Sequence, residues 1–215
     1  FASHAEGFGT KATNLACHAE GSTTEASGEA SHAEGLGTKA TLDAAHAEGQ
    51  QTVASGHTTH AEGYKTTATG DMLENLPDAS HAEGYQTTAS GFCSHAEGYI
   101  TIASGYASHA EGYAAKASSD YQHVQGKYNL VDSTKANIVG NGTSADARSN
   151  AHTLDWKGNA WFAGDVTVGP DMAKLISSGK IIDDCNKATE TGWYNVIAED
   201  EWSGNTPVES DEKYS

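Results

Sequence analysis

Eight copies of the motif His-Ala-Glu-Gly set an imidazole and a carboxylate two residues apart along the first half of the chain. A ninth copy, His123-Val124-Gln125-Gly126, keeps the histidine and lacks the carboxylate. An imidazole beside a carboxylate could transfer protons as a general acid and base, or could bind a metal ion. The histidines are His4, His18, His32, His46, His60, His81, His95, His109 and His123, and the glutamates are Glu6, Glu20, Glu34, Glu48, Glu62, Glu83, Glu97 and Glu111.

The repetition of these pairs argues against catalysis. A catalytic pair needs one cleft with perturbed pKa values, whereas a column of identical pairs indicates a structural role. The sequence has no Gly-x-Ser-x-Gly, phosphate-loop or His-Glu-x-x-His motif. We therefore predict no enzymatic activity, no cofactor and no bound metal. The prediction is a structural ladder in which each histidine partners the glutamate of its own motif, and metal binding by the same residues is the alternative.

Two pH behaviours are open to such a ladder. If a carboxylate holds each imidazole, the histidine pKa rises, and the extra stability is lost as the pH rises through the folded value. If the imidazoles are instead buried and neutral between packed copies of the chain, their pKa falls, and acid should drive the copies apart. Because equivalent histidines would crowd around a symmetry axis, we predict the second behaviour.

The motifs recur every 14 residues, with one interval of 21, and this fixed period indicates stacked repeat units. The clearest unit, His81 to Ser94, divides into HAEGYQT and TASGFCS. Glycine returns in nearly every unit at about 1 kcal/mol each in a helix interior, so a helix is rejected. Short alternation followed by glycine and small polar residues predicts a strand and a turn in each half. The fold class is therefore all-β, with one solenoid rung per 14 residues.

Alternation along a strand assigns the two faces of the coil. Ser80, Ala82 and Gly84 should point inward, and His81 and Glu83 should point outward. The second half of each unit contributes a further inward alanine, at Ala12, Ala26, Ala40, Ala54, Ala68, Ala89, Ala103 and Ala117. An alanine core buries little apolar surface, so we expect the uniform His and Glu face to pack against other copies of the chain.

The sequence also predicts one insertion in the coil and one column of tyrosines on it. The stretch 71–78 lacks the alanine and glycine signature, so we predict an insertion loop there. Tyr64, Tyr85, Tyr99 and Tyr113 each follow the motif glycine and should form a column. Aromatic packing between rungs is the favoured interpretation of this column, and glycan contact is the alternative.

The C-terminal third departs from the repeat. Residues 151–169 predict a β-hairpin cap around the turn Lys157-Gly158-Asn159, with Trp156, Trp161 and Phe162 closing the end of the coil. Residues 170–185 predict a short helical linker that begins near Pro170 and stops at Gly179. Residues 186–215 should begin a further module.

The unit SHAEGYxTxASGxxS, over residues 1–150, resembles the left-handed parallel β-roll of trimeric autotransporter adhesin heads. It resembles still more the SHAEG repeats of bacteriophage tail fibres and neck appendages. The run from Thr153 to Val166 is similar to the segment that follows such repeats in phage fibres, and Asn186 to Val196 resembles the opening of their knob domains.

This resemblance implies a homotrimeric fibre segment of a phage or phage-like tail. Such a segment is assembled in the bacterial cytoplasm and presents a receptor-binding region for host attachment. Its partners would be other tail or baseplate proteins and a host surface receptor, expected to be a glycan. One alternative is the extracellular head of a bacterial adhesin, and another is part of a self-cleaving fibre with a C-terminal chaperone domain. The net charge of −17 argues against nucleic acid or an anionic membrane as partners.

Overall fold

The computed structural model describes residues 2–70 and 78–164, and Phe1–Asp165 form one compact unit. The helix predicted for 170–185 and the module predicted for 186–215 lie outside the described residues. Within the described part of the chain, no helix is long and apolar enough to cross a membrane.

Each of the first eight repeats forms one strand of five residues and one of two, and the ninth forms only the longer strand. The longer strands are β1 (His4–Phe8), β3 (His18–Ser22), β5 (His32–Leu36), β7 (His46–Gln50), β9 (His60–Tyr64), β11 (His81–Tyr85), β13 (His95–Tyr99), β15 (His109–Tyr113) and β17 (His123–Lys127). The shorter strands are β2 (Lys11–Ala12), β4 (Glu25–Ala26), β6 (Lys39–Ala40), β8 (Val53–Ala54), β10 (Thr67–Ala68), β12 (Thr88–Ala89), β14 (Ile102–Ala103) and β16 (Lys116–Ala117). Three more strands follow, β18 (Lys135–Asn141), β19 (Asn150–Asp155) and β20 (Ala160–Phe162).

Equivalent strands stack into two parallel ladders. The long strands form a sheet that continues through β18 to β20, and the short strands form a second sheet of eight. The register is that of the repeat, because His81 pairs with His95 and Ala89 pairs with Ala103. The prediction of a parallel β-solenoid with 14-residue turns is therefore confirmed, with about nine turns.

The core is a set of small side chains, as the alternation predicts. Ala82 and Ala89 are fully buried, and Ser80 is almost so. A threonine column also lies inside the coil, at Thr24, Thr38, Thr52, Thr66, Thr87 and Thr101. The two ladders therefore enclose mainly alanine methyl groups and small hydroxyl groups, and the largest fully buried side chains of the described residues, Gln122, Val124, Asn129 and Ile138, all lie at the C-terminal end of the coil.

Gly84 does not occupy the inward position predicted for it. The residue is exposed, and its backbone has a φ of +103°. A Cβ atom added there would lie 2.3 Å from the carbonyl oxygen of Gly98 on the next strand. The motif glycine is thus required by its left-handed backbone and by the close approach of neighbouring rungs, and not by a narrow core.

Both turns of each rung contain a residue in the left-handed region. Gln86 and Cys93, for example, have φ values of +53° and +52°. Their N–H groups donate to carbonyl oxygens of the preceding rung, that of Tyr64 at 2.8 Å and that of Asp78 at 2.7 Å. The ladder of inter-rung hydrogen bonds thus holds residues of many types in a conformation that usually favours glycine or asparagine.

The predicted insertion leaves the stacking of rungs intact. β9 pairs directly with β11, so that His60 lies beside His81. Asp78, which the sequence analysis assigned to the loop 71–78, is buried and belongs to the rung. Its Oδ2 atom accepts a hydrogen bond from the N–H of His57 at 2.8 Å. The solenoid therefore resumes at Asp78, and residues 71–77 lie outside the described part.

The parallel ladder ends at β18, after which the strands are antiparallel. β18 pairs with β17 in parallel and with β19 in the antiparallel direction, and β19 pairs with β20. The predicted hairpin is confirmed. The Asp155 carboxylate accepts hydrogen bonds from the N–H groups of Lys157 and Asn159, both at 2.8 Å, and fixes the turn.

Candidate functional site

The predicted histidines and glutamates lie on one face of the long-strand sheet. We call this set of side chains the His–Glu stripe. The in-register pairing of the strands aligns histidine with histidine and glutamate with glutamate, as between β11 and β13. In the rungs from β3 to β17 these histidines are half-buried, whereas the alanine between each His and Glu, or Val124 in β17, is fully buried. The structure therefore brings all of these predicted residues together in one surface.

The imidazoles of the stripe are stacked. From His18 to His123, neighbouring ring centroids lie 4.6–4.9 Å apart, and the ring planes are within 14° of parallel. His4 differs, because its ring meets that of His18 at 72°. The spacing equals the distance between strands in a sheet, so the stack follows directly from the register.

The carboxylate partner of each imidazole changes along the stripe. In the first three rungs Nε2 lies near the glutamate of its own strand, at 3.5–3.7 Å. From His60 onward it lies near the glutamate of the preceding strand, at 3.9 Å for Glu48 and 3.3–3.5 Å for the later pairs. The same-strand pairing that the sequence predicts is thus present only at the beginning. His46, where the pattern changes, has no carboxylate oxygen within 4.0 Å among the described residues.

The Nε2 atoms are enclosed without a hydrogen-bond partner among the described residues. The atoms concerned belong to His32, His46, His60, His81, His95, His109 and His123. Although a carboxylate oxygen is near most of them, the contact is too long or too poorly aligned to be a hydrogen bond. The side chains themselves stay 35% exposed at His81 and His95 and 36% exposed at His109, so the Nε2 atom is enclosed and the whole ring is not.

Burial lowers the pKa of three of these histidines. For His32, His60 and His81 the largest cause is desolvation, followed by the charge of the next histidine in the stack. Neighbouring glutamates raise the pKa, but their effect is smaller. These imidazoles are therefore held in the neutral form near pH 7, which is the form that accepts a hydrogen bond or binds a metal ion.

The tyrosine column is also present. The rings of Tyr64, Tyr85, Tyr99 and Tyr113 are stacked, with centroids 4.7–5.0 Å apart. Each internal ring face is therefore covered by the next ring, which leaves mainly edges and hydroxyl groups at the surface. This is the packing between rungs that the sequence favours, and glycan contact remains a prediction.

A second aromatic column was missed. Phe92 and Tyr106 stack with centroids 4.9 Å apart, and Tyr121 meets Tyr106 edge to face. The signal was weak because the equivalent positions in neighbouring rungs are Asp78 and Asp120, which break the aromatic pattern. These aspartates instead accept hydrogen bonds from the backbone of the preceding rung, Asp120 from the N–H of Tyr106 at 2.9 Å.

The aromatic residues predicted to cap the coil are about half exposed in the single chain. Trp156, Trp161 and Phe162 have relative exposures of 50, 53 and 47%. Trp156 donates a hydrogen bond from Nε1 to the carbonyl oxygen of Ser133, and Phe162 packs on His152 at 4.6 Å. Closure of the coil around a threefold axis by these side chains stays a prediction.

Side-chain amides close the end of the coil, at positions that the repeat pattern does not mark. Asn129 donates to the carbonyl oxygen of Lys116 and accepts from its N–H, and so replaces the missing strand beyond β16. Asn150 makes the same pair of bonds with Leu130. Gln122 donates hydrogen bonds from its side-chain amide to the carbonyl oxygens of Asp132 and Lys135. Arg148 donates to the carbonyl oxygens of Ala114 and Asn129.

No family model, no curated protein and no solved structure matches this chain significantly.

Proposed function

We propose that this chain is a structural segment of a homotrimeric phage or phage-like tail fibre. The coil, a left-handed roll in this proposal, spaces a receptor-binding region from the particle. Ten parallel strands from β1 to β18 extend roughly 40 Å at about 4.8 Å per step. The partners in this role are two further copies of the chain, other tail or baseplate proteins and a host surface glycan.

The observation that carries the proposal is the His–Glu stripe. Its residues are uniform over the rungs, whereas the facing short strands carry Lys39, Val53, Thr67 and Ile102 at equivalent positions. A uniform, half-buried array with enclosed and unpartnered Nε2 atoms is suited to meet an equally regular surface. Identical copies related by a rotation axis supply such a surface.

The thin core gives a second reason for assembly. Alanine contributes one methyl group per inward position, at about 0.8 kcal/mol per buried carbon, while ordering a residue costs about 1–2 kcal/mol. Packing three stripes together would add burial that a single coil lacks. The number three and the phage setting come from the resemblance of the SHAEG repeat and of the Thr153–Val166 segment.

The role requires no catalytic residue, and the stripe does not suggest one. Its histidines and glutamates recur in rung after rung, and a column of repeated pairs is typical of a structural role. The tyrosine column would offer a glycan its hydroxyl edges, since the ring faces cover one another.

Immunogold labelling tests the setting directly. Antibodies raised against residues 1–164 should label the tails of purified phage particles from the strain that carries the gene. Labelling of the bacterial surface, with unlabelled particles, would instead favour the adhesin head. A gel band shorter than the full gene product, abolished by a change outside this chain, would identify the self-cleaving fibre.

A further inference from the structure

Five sets of three side chains on the His–Glu stripe bring possible metal ligands together. In each set the imidazole nitrogens and carboxylate oxygens lie within 4.8 Å of one another. The sets are Glu20, His32 and Glu34; His46, Glu48 and His60; Glu62, His81 and Glu83; Glu83, His95 and Glu97; and Glu97, His109 and Glu111.

The distances within these sets suit a bound metal ion better than a hydrogen bond. Nε2 of His81, His95 and His109 lies 3.5, 3.4 and 3.3 Å from the carboxylate of the preceding strand. Two ligands bound to one tetrahedral zinc ion at about 2.0–2.2 Å lie roughly 3.4 Å apart. In these three sets one imidazole and one carboxylate are therefore separated by about the distance that two ligands of one ion require. The corresponding distances are longer in the other two sets, 3.7 Å from His32 to Glu34 and 3.9 Å from His60 to Glu48.

The imidazoles supply a second, independent indication. Their Nε2 atoms are enclosed and have no hydrogen-bond partner among the described residues, and in His81, His95 and His109 this atom lies 3.3–3.5 Å from one carboxylate oxygen of the set. A metal ion would accept this lone pair and would also neutralise carboxylates stacked at the strand spacing. Imidazole with carboxylate is a donor set that favours zinc and similar divalent transition metals.

We propose that the His–Glu stripe is a linear array of sites for divalent transition-metal ions, and that one chain holds four ions. Adjacent sets in the last part of the array share a ligand, Glu83 or Glu97. The set centred on His95 therefore loses both carboxylates when its two neighbours are filled. The remaining four sets share no residue, and all of them lie within one chain, so the proposal does not rest on the trimer.

The stack of rings need not open at most of these sites. A metal ion lies in the plane of the imidazole that binds it, and four of the five sets use a single imidazole. The set with His46 and His60 is different, because their rings are parallel within 1°. One of those two rings must tilt for both to bind the same ion.

Isothermal titration of the metal-stripped chain with Zn²⁺ tests the array. The native chain should bind four ions. His109→Asn should bind three, because its loss leaves two sets that compete for Glu83. The matched control His95→Asn should still bind four ions, because it removes only the set whose two glutamates already belong to the neighbouring sets. Asparagine is compatible with the ladder, since Asn137 already pairs with His123.

Glu111→Gln provides a second route to the same answer. Glu111 belongs only to the last set, so three ions are again expected, and glutamine already occupies the equivalent position at Gln125. Far-ultraviolet circular dichroism confirms that each variant keeps its strands. Equal losses in His95→Asn and His109→Asn, or binding of fewer than four ions by the native chain, would overturn the proposal. So would Mg²⁺ binding with the stoichiometry of Zn²⁺, because that would indicate only an acidic surface.

Discussion

Replacing Gly98 by alanine tests how closely the rungs approach one another. The added Cβ would lie 2.4 Å from the carbonyl oxygen of Gly112 and 3.1 Å from its nitrogen. Real Cβ contacts of this kind are near 3.4 Å or longer, so β13 and β15 would have to separate by about 1 Å in a ladder of hydrogen bonds. The φ of +103° adds strain that any side chain would meet there.

The cost of the Gly98→Ala change has two parts. Overpacking of a rigid structure costs about 1–3 kcal/mol, and a non-glycine residue at this φ costs of order 1–3 kcal/mol. Together they amount to roughly 2–6 kcal/mol, against a total stability of about 5–15 kcal/mol for an ordinary domain. We therefore expect a large loss of stability, or failure to fold.

Gly158→Ala is the matched control, because Gly158 has a φ of +87° and no atom within 4 Å of the added Cβ. It carries the backbone strain without the clash. Urea unfolding followed by circular dichroism should show that Gly98→Ala loses at least 1 kcal/mol more than Gly158→Ala. Equal losses would mean that the rungs are not held at the separation described here.

Two further predictions concern the core and the stripe. Ala89→Leu should lower the stability by about 1–3 kcal/mol, because Ala89 is buried and leucine would overpack the closed coil. The neighbouring Thr88→Leu should be tolerated, because Thr88 lies on the outer face beside Ile102. Equal losses of stability in urea unfolding would mean that the two faces are inverted. Because burial lowers the pKa of His32, His60 and His81, the unfolded chain binds protons more readily, so stability should be full above pH 6.5 and fall as the pH drops below it. Melting from pH 7.5 to 5.5 with chelator present checks this, and a rise in stability toward pH 5.5 would contradict it.

The repeat itself predicted most of the fold. A fixed 14-residue period with alanine at alternate positions determines strands, register and inward face together, because each rung repeats the one before it. The stacking of histidines followed from that register. The hairpin was predictable because Lys157-Gly158-Asn159 is a local turn signal between two short strands.

The parts that could not be predicted depend on contacts between rungs. Gly84 looked like an inward residue by alternation, but its φ and the carbonyl oxygen of Gly98 determine its role. Gln86 lies in the left-handed region because an inter-rung hydrogen bond holds it there, and nothing in its residue type indicates this. Asn129 replaces a missing strand only once in the chain, so no repetition marked it.

The pairing within the His–Glu stripe was only partly predictable for a similar reason. The sequence places each glutamate two residues from a histidine, but side-chain torsions decide whether the carboxylate reaches its own rung or the next. His46 lies where that choice changes. A period in sequence determines which residues form a column, and the packing of the column determines which neighbour each one contacts.

The mass of the native chain in solution tests the central claim most directly. Light scattering at pH 7.5, with chelator present so that metal ions cannot link chains, should give three times 22.3 kDa. That result is expected from the proposed function, in which the uniform stripes of three copies pack together and add burial to a thin alanine core. A folded, stable species of 22.3 kDa would contradict the account.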